Sequence, residues 1–145
     1  MRDFKRIFMD IAPIVYFLDR ESIFHEKTKN VFNYIFKCDC EILTSVITCT
    51  EYLVIPYREN NQANINSFWQ FVQQCNVNIC NIDVKIAEKA AKIRANYLGF
   101  KAFDSMQIAA ACINECDIFL TNDKQLRQYD EIKCITVEEW IIEEN

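Results

Sequence analysis

An alternation restricts the fold of this chain more than any other feature. Short apolar runs at 6–10 (RIFMD), 40–45 (CEILTS), 77–82 (VNICNI), 117–121 (DIFLT) and 134–137 (CITV) are each followed by residues with helical periodicity. Residues 25–37 place Thr28, Val31, Phe32, Ile35 and Phe36 along one helical face. Residues 46–57 read as a helix stopped near Pro56, and 65–75 as another. Asp83 caps a helix with a stripe of Ile86, Ala90, Ile93 and Tyr97, and Gly99 stands at its expected C-cap. A helix over 104–115, a short one after residue 121 and a terminal one complete the pattern. Strands alternating with helices predict βαβ units and a parallel sheet covered on both faces. At 145 residues the chain is expected to form one domain, 1–145, around a single core.

The rest of the composition narrows the function. The N-terminal segment has basic residues followed by apolar ones, but Asp10 interrupts the run and no small-residue cleavage site follows, so no signal peptide is expected. No uncharged apolar stretch approaches the ~18 residues of a membrane span. The expected location is the cytoplasm. Of the eight cysteines none forms a CxxC pair, and His25 is the single histidine, which disfavours a zinc site. Most of the cysteines lie in apolar runs and are read as reduced core residues. A net charge of −5 argues against bulk electrostatic binding of nucleic acid, yet permits an enzyme whose acids gather in one site.

Parallel sheets bind ligands at the carboxyl ends of their strands. Polar residues just past those ends, or on helix faces that should be buried, are therefore the candidates. Asp10 closes the first run, where a turn or N-cap role is the simpler reading. Glu51 shares a helix face with Ile47 and Ile55, well inside the helix, so it is no cap. A carboxylate on a buried face needs a partner, either a salt bridge or a metal. Asp104 fits a D-x-x-Q capping box with Gln107, worth about 1 kcal/mol. Asp123 follows the fourth run near a helix start, where Asn122 and Gln125 already form a capping pair. Asp83 also follows a strand, whereas Asp117 precedes one and belongs to the opposite edge.

Asp10, Glu51, Asp104 and Asp123 would converge at one edge of the sheet. Two carboxylates ~4 Å apart repel by about 4 kcal/mol at an effective dielectric near 20, so such a group calls for a cation between them. All-oxygen ligands favour Mg²⁺ or Mn²⁺, and phosphoryl transfer is the chemistry those ions serve best.

The four signatures together resemble the PIN-domain ribonucleases, and in length the chain is similar to VapC-type toxins of toxin–antitoxin modules. They are the Asp after the first strand (Asp10), the Glu in TSVITCTEYL (Glu51), AFDSMQIAAA (Asp104) and the Thr-x-Asp of FLTND (Asp123). The resemblance runs from IFMDIAPIVYFL to CITVEEWI. It implies an α/β/α sandwich around a parallel sheet of about five strands. It also implies that Asp10, Asp104 and Asp123 hold a principal Mg²⁺ or Mn²⁺, with Glu51 toward a second ion or an orienting water. Activated water would then attack an RNA phosphodiester.

The likeness makes Asp83 a helix cap only. Ile11 departs from the Ser or Thr that usually follows the first Asp, which leaves Thr121 or Ser105 to supply a hydroxyl, with Asn122 beside them. Arg58, Arg94, Lys101 and Arg127 are candidates for steering RNA phosphates. VapC-like proteins usually dimerise and are inhibited by an antitoxin. Phe68, Trp69 and Phe71 carry more aromatic surface than one helix face buries, which suits such a contact. Two other readings stand beside the nuclease: a receiver-type phospho-acceptor domain, which needs a lysine after a late strand (Lys124), and an inactive PIN-like binding module.

Overall fold

A computed structural model describes residues 4–144. Five strands, β1 (Arg6–Met9), β2 (Glu41–Ser45), β3 (Asn78–Cys80), β4 (Ile118–Thr121) and β5 (Lys133–Thr136), form one sheet in the order β3-β2-β1-β4-β5. Every pairing is parallel, with Phe8 opposite Leu43 on one side and Phe119 on the other. Seven α-helices join them: α1 (Ile11–Leu18), α2 (His25–Lys37), α3 (Val46–Arg58), α4 (Gln62–Gln74), α5 (Val84–Asn96), α6 (Ala102–Ile113) and α7 (Val137–Glu144).

Strand side chains alternate between the faces, so each run feeds two cores. Ile7, Met9, Ile42, Ile118, Leu120 and Ile135 pack with α1, α2, α4 and α7 through Ile14, Phe32, Phe68 and Trp140. Phe8, Leu43, Phe119 and Cys134 face the other way, against Ile86, Ala90 and Ile93 of α5 and Ile108–Ala111 of α6. The Phe8 and Phe119 rings stack across neighbouring strands, 5.5 Å apart. The result is the expected α/β/α sandwich.

The two edges of the sheet are built differently. At the carboxyl ends, Asp10, Ser45, Asp83 and Asp123 each accept a backbone N–H as N-caps of the following helix or turn. After β5, Thr136 and Glu139 exchange hydrogen bonds in the same way. At the amino ends the helices stop without glycine. Asp39, Asn60, Asn76 and Glu115 take positive φ of 51–57° just past α2, α3, α4 and α6. In all four the following N–H reaches back to the third-last helical carbonyl, as in Cys40 to Ile35 and Cys116 to Ala111.

Several local expectations change. Gly99 has no positive φ, and α5 ends at Tyr97, whose N–H still reaches Ile93 O. Gly99 instead faces the flexible amide end of Gln125, which a Cβ there would have to push aside. The α3 helix runs two residues beyond Pro56, and Phe36, placed on the buried face by periodicity, is half exposed. All eight cysteines are free, but only Cys134 is fully buried, and Cys38 is exposed. Burial pushes the Cys116 and Cys134 thiols up to about 12, which keeps them unreactive.

Candidate active site

The strand order reverses between β1 and β4, because the chain builds β2 and β3 on one side of β1 before crossing to β4 and β5. That reversal opens a crevice at the carboxyl ends of β1 and β4. Asp10 follows β1 directly, and Asp123 lies two residues past β4. Glu51 reaches the same edge from the second turn of α3, and Asp104 from the first turn of α6. Asp83 caps α5 after the outer strand β3, away from the crevice.

Asp104 is not the helix cap. The α6 helix begins one turn earlier than its sequence pattern suggests, with Lys101 at the N-cap and no side-chain cap bond. The D-x-x-Q match therefore carries no capping box, and Gln107 points into the core. Asp123, in contrast, is itself the cap of the 3₁₀ turn Lys124–Gln128, accepting from Gln125 N at 3.0 Å. Its role does not pass to Asn122, which is exposed.

The acids act on one another electrostatically. Burial raises the Asp10 pKa, and the Asp123 charge raises it further. Against this work hydrogen bonds from Ile11 N at 2.9 Å and from Thr121 Oγ1 at 2.9 Å, with a smaller lowering influence from the Gln107 side chain. Half-buried Glu51 is pushed up to about 7, by desolvation first and then by the charges of Asp10 and Asp104. Asp104 is pushed up to about 6 by desolvation and by Asp10 and Asp123, with Lys101 offsetting part of the rise. Asp10 and Asp104 thus sit at the centre, each coupled to the other three acids.

The polar surroundings divide unevenly. Thr121 bonds Asp10 and also accepts from Asp123 N at 3.1 Å, joining two of the acids. Ser105 Oγ is buried and has no hydrogen-bond partner among the described residues. Of the four candidate phosphate-steering cations, Lys101 is felt by an acid of the site. Arg127 lies 3.5 Å from Glu139, Arg94 donates to Phe100 O at 3.4 Å, and Arg58 is exposed at the end of α3. Sequence reasoning passed over a buried polar group beside the acids: Thr44, Ser45, Thr48 and Gln107, all within 1% of full burial. The signal is present in TSVITC, where Thr44 is the penultimate residue of β2 and Thr48 follows four residues later in the first turn of α3, while Gln107 carries the spacing of a capping partner.

An oxygen-only, strongly negative donor set suits a hard divalent cation such as Mg²⁺ or Mn²⁺. As the side chains stand, no three His, Cys, Asp or Glu residues among those described lie close enough to enclose an ion. Asp10 and Asp123 are turned toward backbone N–H groups. The donor chemistry fits a cation; the observed rotamers do not yet surround one.

A family model described as the PIN domain matches residues 7–132. No curated protein matches the chain. Among solved structures, VapBC2 from Rickettsia felis bound to a DNA fragment from its promoter is similar with a TM-score of 0.76 at 12% identity, covering 90% of this chain and 98% of that one. DNA-bound VapBC from Salmonella typhimurium gives 0.72 at 15% identity, covering 92% and 98%. Mycobacterium tuberculosis VapC20, described as a Sarcin-Ricin loop cleaving toxin, gives 0.64 at 14% identity, covering 88% and 98%.

Proposed function

The chain belongs to the PIN-domain family, and on that premise we propose that it is a metal-dependent endoribonuclease, the toxin of a type II toxin–antitoxin pair. One observation carries the reading: four carboxylates gather at the switch point of the sheet, with Asp104 pushed up to about 6 and Glu51 to about 7, first by burial and then by the charges of neighbouring acids. Glu51 and Asp104 are half-buried, and among the described residues no salt bridge neutralises any of the four acids, an arrangement suited to a cation. In this reading Asp10, Asp104 and Asp123 hold a principal Mg²⁺ or Mn²⁺, and Glu51 faces a second ion or orients water. A bound ion would supply water of lowered pKa and stabilise charge on the leaving oxygen.

The chain's own residues do the rest. Thr121 fixes the Asp10 carboxylate and the turn carrying Asp123. Lys101, exposed beside Asp104, attracts the phosphate of an RNA strand to an edge that would otherwise repel it. Arg58, Arg94 and Arg127 are further candidates for contacting RNA phosphates.

Trp69 supports a protein partner. Phe68 and Phe71 are core residues, while Trp69 remains 44% exposed on α4 and Val54, Ile55 and Tyr57 are exposed on the adjacent α3. That apolar patch suits a homodimer or an antitoxin, and the structural neighbours include toxin–antitoxin complexes. No helix among the described residues is long and apolar enough to cross a membrane, in keeping with a cytoplasmic toxin. The receiver-type alternative loses support, since its strand order is 2-1-3-4-5 and this sheet runs 3-2-1-4-5.

The test is hydrolysis of labelled RNA with Mg²⁺ or Mn²⁺, with and without EDTA, beside Asp104→Asn. Cleavage that needs the ion and fails in Asp104→Asn is expected. Equal cleavage by both proteins would sink the site.

A further inference from the structure

One buried amide lies between three of the four acid-bearing elements. Gln107 is 1% exposed and sits one turn beyond Asp104 on α6. Its Oε1 accepts from Ser45 Oγ, and its Nε2 donates to Thr48 Oγ1 at 2.7 Å. These partners lie 62 and 59 residues away in the chain.

The order of donors around this group is forced. Thr44 Oγ1 is 2.7 Å from Met9 O and 2.8 Å from Thr48 Oγ1. A carbonyl only accepts, so the single Thr44 proton goes to Met9 O. Thr48 must then donate its own proton to Thr44, and must accept from Gln107. Ser45 Oγ takes the Ile47 N–H at 3.1 Å and directs its proton to Gln107 Oε1. The orientation of the amide follows from its partners: oxygen toward β2, nitrogen toward α3. An amide nitrogen carries two protons. One is used by Thr48; the other is left for the Asp10 carboxylate, whose charged form the Gln107 side chain favours.

We propose that Gln107 is a positioning residue of the acid site, whose amide sets the placement of Asp10 against the helices that carry Glu51 and Asp104. Three of the four acids stand close in sequence to a member of the network. Asp10 follows Met9, Glu51 is three residues past Thr48, and Asp104 is three before Gln107. A change in the amide therefore moves β1, α3 and α6 relative to one another at the point where their carboxylates meet. Asp123 stands outside the network, held by Thr121 and by its own cap. The catalytic meaning of this role rests on the nuclease reading above; the hydrogen-bond arrangement does not.

The experiment has two arms on the full chain. In the metal-free protein, the side-chain NH₂ of Gln107 is followed by amide NMR. Two separate, slowly exchanging proton signals are expected, one shifting in Asp10→Ala and the other in Thr48→Val. If Asp10→Ala moves neither, the proposal fails whatever the activity of the protein. In the second arm Mn²⁺ binding is measured for wild type and Gln107→Met, which keeps the length and removes the donors. An Mn²⁺ dissociation constant raised about tenfold or more is expected in the folded variant. An amide with only a structural role would lower Tm and leave Mn²⁺ affinity unchanged, and that result overturns the positioning role. Should Gln107→Met not fold, Thr48→Val takes its place in this arm, with a smaller loss of affinity expected. A wild type that neither binds Mn²⁺ nor cleaves RNA removes the nuclease reading, while the NMR arm still decides the amide.

Discussion

At the amino-terminal edge of the sheet, Asp117 Oδ2 accepts the backbone N–H groups of Lys5 and Arg6 at 2.8 and 2.9 Å. Arg6 Nε lies 2.9 Å from Glu41 Oε2, and its Nη1 donates to Asn114 O. At the carboxyl-terminal edge, a strand's length away, the acids are raised first by burial and then by one another's charges. Both edges are rich in carboxylates, and both belong to the same small sheet. The difference lies in what answers the charge. The amino-terminal acids pin chain segments together with donors already present, and the carboxyl-terminal acids keep an excess of negative charge that folding leaves unbalanced. The first arrangement stabilises; the second costs stability and is retained for what it can bind.

Exchanging charge at each edge separates the two roles most sharply. Asp104→Asn is expected to reduce RNA cleavage by at least about 100-fold, as loss of a metal ligand would, with a metal-free Tm equal to or above wild type. A Tm clearly below wild type would mean that Asp104 is a structural acid like Asp117. The reverse substitution, Asp117→Ala, should cost about 1–2 kcal/mol in denaturant unfolding, because two backbone donors lose their acceptor, and should leave cleavage unchanged.

The next effect is in pH. Glu51 rises from 4.5 to about 7 and Asp104 from 3.8 to about 6 on folding. A raised folded-state pKa means that the folded protein holds more protons than the unfolded chain between the two values. The stability they confer is therefore fully present below about pH 4 and is lost as pH rises toward 7. Both groups are half exposed, so after discounting for screening the loss is about 1 kcal/mol, a few degrees in Tm. Glu51→Gln should flatten the slope above pH 5, and Asp117→Ala should leave it in place.

The smallest effect belongs to the helix ends of the amino-terminal edge. Glu115 holds a φ of 57° beyond α6, a conformation that glycine adopts without steric cost. Glu115→Gly is expected to raise unfolding stability by about 0.5–1 kcal/mol and to leave Mn²⁺ binding unchanged.

The legibility of the chain follows the same division. The runs at 6–10, 40–45 and 117–121 were readable as strands because burial on both faces leaves them apolar throughout. Asp10 and Asp123 could be placed at strand ends because strand and turn are neighbours in sequence. Asp104 was placed at the right edge but assigned the wrong local role. The sequence shows an Asp and a Gln at cap spacing, while the chain starts its helix a turn earlier, where Lys101 supplies no cap bond. Gly99 misled for a related reason, since a glycine after a helix commonly means positive φ, and here it faces the flexible amide end of Gln125.

By itself the sequence determined the elements, their order and the strand ends at which the acids stand, because those depend on period, capping and turns a few residues long. The tertiary structure decided what the acids experience and which buried group joins their supports. Repulsion among Asp10, Glu51, Asp104 and Asp123 depends on distances through space, and the partners of Gln107 lie some sixty residues away. No local pattern encodes such a separation; it exists only once β1, α3 and α6 have packed.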